Sequence, residues 1–241
     1  HPLAATEEGE AVGEVRAQAW GEGAAWALAS VPRLLGAEDD PAGFTALHPA
    51  VAHGRRTHPH LRFGRTDLVM EALVPAIIEQ KVTGKEAFGA FRKLVHFFGE
   101  RAPGPHAELL KLWVQPAPAT IARIPSWDWL KLHVDPQRSR TLVGACRVAG
   151  SLERVVGVPH DEADKRLQSL PGVGVWTSAE VRQRALGDPD AVSFGDYHLA
   201  NQVGWALLGH DITDKELEEL LEPYRPQRGR AALYAVLGGA A

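Results

Sequence analysis

The stretch LPGVG, Leu170 to Gly174, limits most strongly how this chain can fold. Pro171 cannot continue a preceding helix, because it lacks an amide hydrogen and its ring crowds the turn before it. Gly172 and Gly174 admit positive φ and let another backbone come close. The chain must turn here, and the first amides of the helix that follows face outward, where a phosphate can dock. What comes next tightens the constraint. A helix is expected from Val175 to about Leu186, closed by Gly187. The turn-rich loop DPDAVSFGD then runs up to Asp196, and Tyr197 opens an apolar-periodic helix. Two helices joined in this way grip a nucleic-acid backbone without reading its sequence.

These residues resemble the helix–hairpin–helix superfamily of DNA glycosylases, most closely its alkylated-base branch, the 3-methyladenine DNA glycosylase II type. LPGVGVWT matches the family hairpin, and GDYHL matches the segment that carries its aspartate. Asp196 follows Trp176 by 20 residues, the spacing of the family. Upstream, EALVPAIIEQKVTGKEAFGAF at Glu71–Phe91 is similar to the family's helix that ends in a glutamine and a small-residue turn. The likeness runs from roughly Thr66 to Leu237. It implies an all-α fold, a two-lobed helical bundle with a helix–hairpin–helix motif. Residues 1–40 are then an N-terminal remnant and linker, a strand plus a helix, and residues 41–241 the glycosylase core in two helical lobes. The strand is expected at Gly13–Trp20, which alternates, as the last piece of an N-terminal sheet domain. A cleft is expected between Gln80–Gly84 and Asp196.

The function implied is a monofunctional DNA glycosylase. It would flip alkylated purines out of damaged double-stranded DNA and excise them by N-glycosidic hydrolysis, in base excision repair. The resemblance assigns Gly172, Val173, Gly174, Thr177, Gln80 and Lys81 to DNA binding. In the family, the turn after the glutamine enters the duplex, and an apolar wedge fills the gap left by the flipped nucleotide. This chain has Lys81 there, a long aliphatic stem ending in a charge. Trp176, Tyr197 and Trp127 are assigned to the base pocket, with Glu180 nearby. An electron-rich aromatic face would favour a cationic base.

Asp196 carries the chemistry in this reading. A carboxylate beside the anomeric carbon stabilises the developing oxocarbenium charge and can orient or deprotonate a water. An N3- or N7-alkylated purine is already cationic and leaves without a general acid, so one carboxylate is enough. Bifunctional relatives of this family place a nucleophilic lysine where this chain has Trp176, which cannot form a Schiff base. Asp before an apolar helix is also a good N-cap, a role compatible with catalysis. Two other functions stay open: a non-catalytic helix–hairpin–helix DNA-binding module, and a same-fold glycosylase for another damaged base.

The rest of the chain adds bounds. Its 241 residues suffice for a sizeable core, with 45% hydrophobic and 23% charged residues. A single cysteine, Cys146, excludes an internal disulfide framework and a four-cysteine iron–sulfur cluster. The sequence calls for no cofactor and no metal. The net charge of −4 argues against a broad basic surface and for a local patch of a few phosphate contacts. No apolar run approaches a membrane span, and the polar, acidic stretch after His1-Pro2 is no secretory leader. The expected form is a cytoplasmic, nucleoid-associated monomer.

Secondary candidates remain two-sided. His48, His53, His58 and His60 form a metal cluster or a solvated connector. Trp127 and Trp129, in a loop SWDW, are core plugs or a pocket wall. Arg138 and Arg140 near a helix start meet phosphate or solvent. Arg225, Arg228 and Arg230 form a DNA-facing patch or a solvated turn. Asp67 is expected at a helix start. Phe88, Phe91, Leu94, Val95 and Phe98 are expected on one buried stripe of a helix over Lys85–Phe98.

Overall fold

Glycines and prolines cut this chain into short helices that satisfy their backbones locally and bury one face each. The structure, a computed structural model, describes residues 4–5 and 11–239. In chain order the helices are α1 (Ala24–Leu34), α2 (Pro49–Thr57), α3 (Val69–Glu79), α4 (Gly84–Phe98), α5 (Pro118–Ile121), α6 (Ser126–Lys131), α7 (Pro136–Arg147) and α8 (Ala149–Leu152). They continue with α9 (His160–Gln168), α10 (Val175–Val181), α11 (Leu199–Leu208), α12 (Asp214–Leu221) and α13 (Arg228–Gly239). The strands are two-residue antiparallel ribbons, β1 (Ala4–Ala5) with β2 (Ala11–Val12), and β3 (Glu100–Arg101) with β4 (Trp113–Val114). The fold is all-α in character.

Two hydrophobic clusters divide the helices. The larger is built on α3, whose sequence VMEALVPAIIE is apolar nearly all round; only Glu71, Pro75 and Glu79 escape burial. Its first two amides, of Val69 and Met70, each donate to a carboxylate oxygen of Glu153 at 2.9 Å. Helices α4, α7 and α10 pack around it through Leu73, Ile77, Ile78, Leu94, Leu142 and Val181. Each such side chain contributes about 1.5–3 kcal/mol by leaving water. The second cluster joins α2 to α11, α12 and α13 through Val51, Val203, Leu217, Leu221, Ala231 and Ala235. The chain thus starts one lobe with α2, builds the other from residues 69 to 186, and returns.

The return segment is tied to both lobes. Asp188, fully buried, accepts from Arg182 Nε at 2.8 Å and Nη2 at 2.5 Å, and lies 3.2 Å from His160 Nδ1. Asp190 accepts from Arg228 Nε and Nη2, at 3.0 and 2.7 Å, and from Arg225 at 3.3 Å. Asp39 pairs with the buried Arg230 and accepts from the Phe63 amide at 3.1 Å. Asp39 is therefore anchored in the body of the molecule.

Several expectations change. Gly13–Trp20 carries no strand; its residues are nearly all exposed, and the alternation has no neighbouring strand to pair with among the described residues. Asp67 does not cap α3. It adopts φ of +59° and joins Arg33 and Arg65, at 2.6 and 2.7 Å, while Glu153 caps the helix. SWDW is helical as α6, with Trp129 buried and Trp127 exposed. On α4 the buried register is Ala87, Ala90, Leu94 and Val95, with Phe91 and Phe98 alongside. Phe88 falls outside it and is 75% exposed.

Candidate active site

The hairpin forms where the sequence requires a left-handed residue. Gly172 has φ of +88°, and a Cβ there would lie 2.1 Å from Thr141 Oγ1 on α7. Only glycine meets both demands. Val173 then plugs the larger core, and its amide donates to Leu170 O at 3.0 Å. Helix α10 begins with the bond from Ser178 N–H to Gly174 O at 2.9 Å. The amides of Val175, Trp176 and Thr177 form its first turn, without intrahelical partners.

Gln80, at the end of α3, locks onto this hairpin. Its Nε2 donates to Gly172 O at 2.9 Å and to Thr177 Oγ1 at 2.8 Å. The two segments singled out in sequence thus meet. Their roles differ from the expectation in detail. The Thr177 side chain is buried and its hydroxyl oxygen accepts from Gln80, which leaves its amide to a ligand, and Val173 has neither side chain nor amide to offer one. Lys81 is exposed, with φ of +55°. A left-handed lysine costs about 1–2 kcal/mol, a strain held in place by the Gln80 bonds beside it. Lys85 and Arg140 are also exposed, and none of the three has a carboxylate partner among the described residues.

Arg138 does not share that exposure. It is buried, with Nε donating to Asp135 at 2.5 Å and Nη1 to Ile78 O at 2.5 Å. The caps of Asp135 offset its place near a helix start. Arg225, Arg228 and Arg230 are likewise committed to carboxylates, so they form no DNA-facing patch. The histidine cluster is also dispersed: His48 caps α2 through Nδ1 at 3.2 Å from Ala50 N, and no metal-binding group of three His, Cys, Asp or Glu exists among the described residues.

Asp196 sits at the end of a tight loop. Its amide donates to Ser193 O at 3.0 Å. Its Oδ1 accepts from the His198 amide at 2.8 Å and the Leu199 amide at 3.0 Å, so it caps α11 from two residues before the first helical turn. The carboxylate lines a cavity of about 280 Å³ between the lobes. Phe63, Leu199, Leu233 and Val236 supply apolar walls, and Glu180, Gln183, Ser193 and Gln202 the polar ones. Gly229 admits the close approach of α13 to this wall, since a Cβ there would lie 2.3 Å from Ala191 O. A mostly apolar cavity with a few converging polar groups is what a small-ligand site requires.

The aromatic residues expected in the pocket are elsewhere. Trp127 lines a separate concavity with Trp129, Leu130 and Pro136. Tyr197 is 88% exposed and packs edge-on against His198. Trp176 is half-buried and does not line the Asp196 cavity. Gln183 was not legible as a wall residue, because it lies in a π-helical turn, Arg182–Leu186, that shifts the register of the preceding α10. Ser193 and Gln202 carried no sequence signal of their own.

This fold recurs in solved structures. "3-methyladenine dna-glycosylase from Archaeoglobus fulgidus" superposes with a TM-score of 0.68 at 19% identity, over 88% of this chain and 73% of that one. The chain has the fold of the helix–hairpin–helix DNA glycosylases. Among curated relatives, "Probable bifunctional transcriptional activator/DNA repair enzyme AlkA" of Mycobacterium tuberculosis is 32% identical over 178 residues, 72% of this chain and 35% of that protein. "DNA-3-methyladenine glycosylase" of Bacillus subtilis is 24% identical over 171 residues, 69% of this chain and 55% of that protein. The chain therefore spans about half or less of these relatives' lengths. No family model matches it. No helix among the described residues is long and apolar enough to cross a membrane.

Proposed function

We propose that this chain is a monofunctional DNA glycosylase that removes alkylated purines from duplex DNA, acting as a monomer on chromosomal DNA. The observation that carries this reading is Asp196, fixed through one oxygen to the start of α11 while its carboxylate lines the inter-lobe cavity. The hairpin around Gly172 and Gly174, with exposed Lys81, Lys85 and Arg140, holds the phosphate backbone as a local basic patch on an acidic protein. Lys81 enters the duplex beside the flipped nucleotide. The cavity, near the lower end of ligand-site volumes, takes one base rather than a whole nucleotide.

The base leaves as its glycosidic bond to C1′ breaks, and the electron pair departs with N9 into a purine ring that alkylation at N3 or N7 has already made cationic, so the base leaves neutral. Asp196 faces the positive charge that grows on the sugar and orients the water that attacks C1′. The water's proton passes to the carboxylate. Trp176 stands where a bifunctional enzyme keeps its lysine, so the product is an abasic site with an intact strand.

The test is release of 3-methyladenine and 7-methylguanine from methylated duplex DNA, with strand integrity followed in the same reaction. Parent chain and Asp196→Asn are compared for release and for DNA binding. Release by the parent, loss in the variant and retained binding support the reading. Binding by both without release from any alkylated substrate removes it and leaves a DNA-binding module.

A further inference from the structure

The cavity wall has a polarity that Asp196 alone does not explain. Gln183 Nε2 donates to Ala191 O at 3.0 Å and to Ser193 Oγ at 3.3 Å, which leaves only its carbonyl oxygen for a ligand. Ser193 Oγ, receiving that bond, turns its own hydrogen to Glu180 Oε1. Arg184 Nη1 donates to Glu180 Oε2. The donors of this network are consumed inside the protein, and what it leaves for the cavity is acceptors, the Glu180 carboxylate and the Gln183 carbonyl, beside the free oxygen of Asp196; on the α11 side Gln202 adds an amide that can donate or accept. No lysine, arginine or histidine lines the cavity.

Charge points the same way. Glu180 is buried, and Arg184, its partner, is half exposed and does not line the cavity. Glu79, at the end of α3, lies within the field of both. Burial raises its carboxyl, Arg184 lowers it and Glu180 raises it again, so one guanidinium serves two carboxylates. Aromatic recognition of a cation is weak here. Trp176, Tyr197 and Trp127 do not line the cavity, and one face of Phe63, the aromatic residue that does, is covered by the Arg230 guanidinium at 4.7 Å.

We propose that Glu180 is the specificity-determining residue of this site: its buried carboxylate, held by Ser193 and Arg184, selects a purine ring that carries a positive charge and an exocyclic amine. This rests on the reading of the cavity as a base pocket. A cationic ring gains from the nearby carboxylate in a low-dielectric wall, where a neutral purine only loses water. The carboxylate, and not an aromatic sandwich, then separates alkylated from normal bases.

The experiment uses the full chain and two small probes, 3,9-dimethyladeninium, a permanent cation, and neutral 9-methyladenine. Their dissociation constants are measured by NMR titration of the parent, Glu180→Gln and Glu180→Asp. The parent is expected to prefer the cation at least ~10-fold. Glu180→Gln should lose most of that preference by weakening the cation ~10-fold and leaving the neutral probe within about twofold. Glu180→Asp should retain a preference, since the charge is kept. A merely structural role would weaken both probes alike in Glu180→Gln, and that result overturns the assignment. So does a parent that binds both probes equally, a result independent of how any variant folds. Base release from methylated DNA is run in parallel. A charge preference without release sinks the glycosylase reading and leaves Glu180 as assigned, whereas release without a preference does the reverse.

Discussion

The two oxygens of Asp196 separate what it does for the fold from what it does for chemistry. Oδ1 holds the amides of His198 and Leu199. Asparagine keeps an oxygen in that place and caps a helix about as well as aspartate. Asp196→Asn is therefore expected to change stability by less than ~0.5 kcal/mol while base release falls about 100-fold or more. Asp196→Ala should show the same catalytic loss and also give up about 1 kcal/mol of stability. Chemical denaturation beside the release assay checks both. An asparagine variant that melts like the alanine one would mean that the charge itself holds the loop. Sequence singles out this residue by its spacing from the hairpin, because an aspartate before an apolar helix is by itself an ordinary cap. It did not show Gln183, Ser193 or Gln202, and the place of the first two in the cavity depends on the loop that brings Ala191 and Ser193 against Gln183.

At the scale of elements, the hairpin and the end of α3 behave as one piece. Gly172 combines a left-handed backbone with a Cβ position already filled by Thr141. Gly172→Ala is expected to cost about 2–3 kcal/mol, of which ~1–2 kcal/mol is backbone conformation. Adding Thr141→Ala should recover the steric part alone. Duplex DNA affinity should drop several-fold in the single variant, measured by anisotropy at fixed salt. Full recovery of stability in the double variant would show that φ contributes nothing. Helix positions were readable where Pro171 and Gly187 punctuate the chain, and Gly187 does close its helix in the left-handed conformation. Faces were less readable. Phe88 satisfies an apolar spacing and still lies outside the packed register of α4. Arginine clusters misled for another reason: Arg228 and Arg230 look like phosphate ligands in one dimension, and the carboxylates that claim them come from distant segments, while Arg138 is taken by its neighbour Asp135 and by the Ile78 carbonyl on α3.

The two lobes form one molecule through the segment that returns from one to the other, and its acid sensitivity follows from that. Burial by itself would raise the Asp188 carboxyl. The hydrogen bond from His160, the charges of Arg182 and His160 and the Asp190 amide outweigh burial and hold it down at about 2. Since this lies below the unfolded value of 3.8, the ionised group stabilises the fold above about pH 4. That stability, about 2 kcal/mol, is lost as the pH falls from about 4 through 2. Asp164, pulled down by Ser178, Gln168 and Arg182 against its own burial, acts in the same direction. Glu71 and Glu79, raised mainly by burial, act in the opposite one, gaining stability as they take up protons. Asp188→Asn isolates the Asp188 share, because the other groups are common to both proteins. At pH 7 the variant leaves Arg182 with Asp164 as its remaining partner, at 2.9 Å, and should be about 2 kcal/mol less stable by urea denaturation. Near pH 2.5 the unfolded carboxyl is already protonated while the folded one has begun to be, so the difference should shrink to a fraction of its value at pH 7. A gap that stays constant with pH would place the contribution of Asp188 in shape rather than charge, and the joint between the lobes would then not be the acid-sensitive part of this protein.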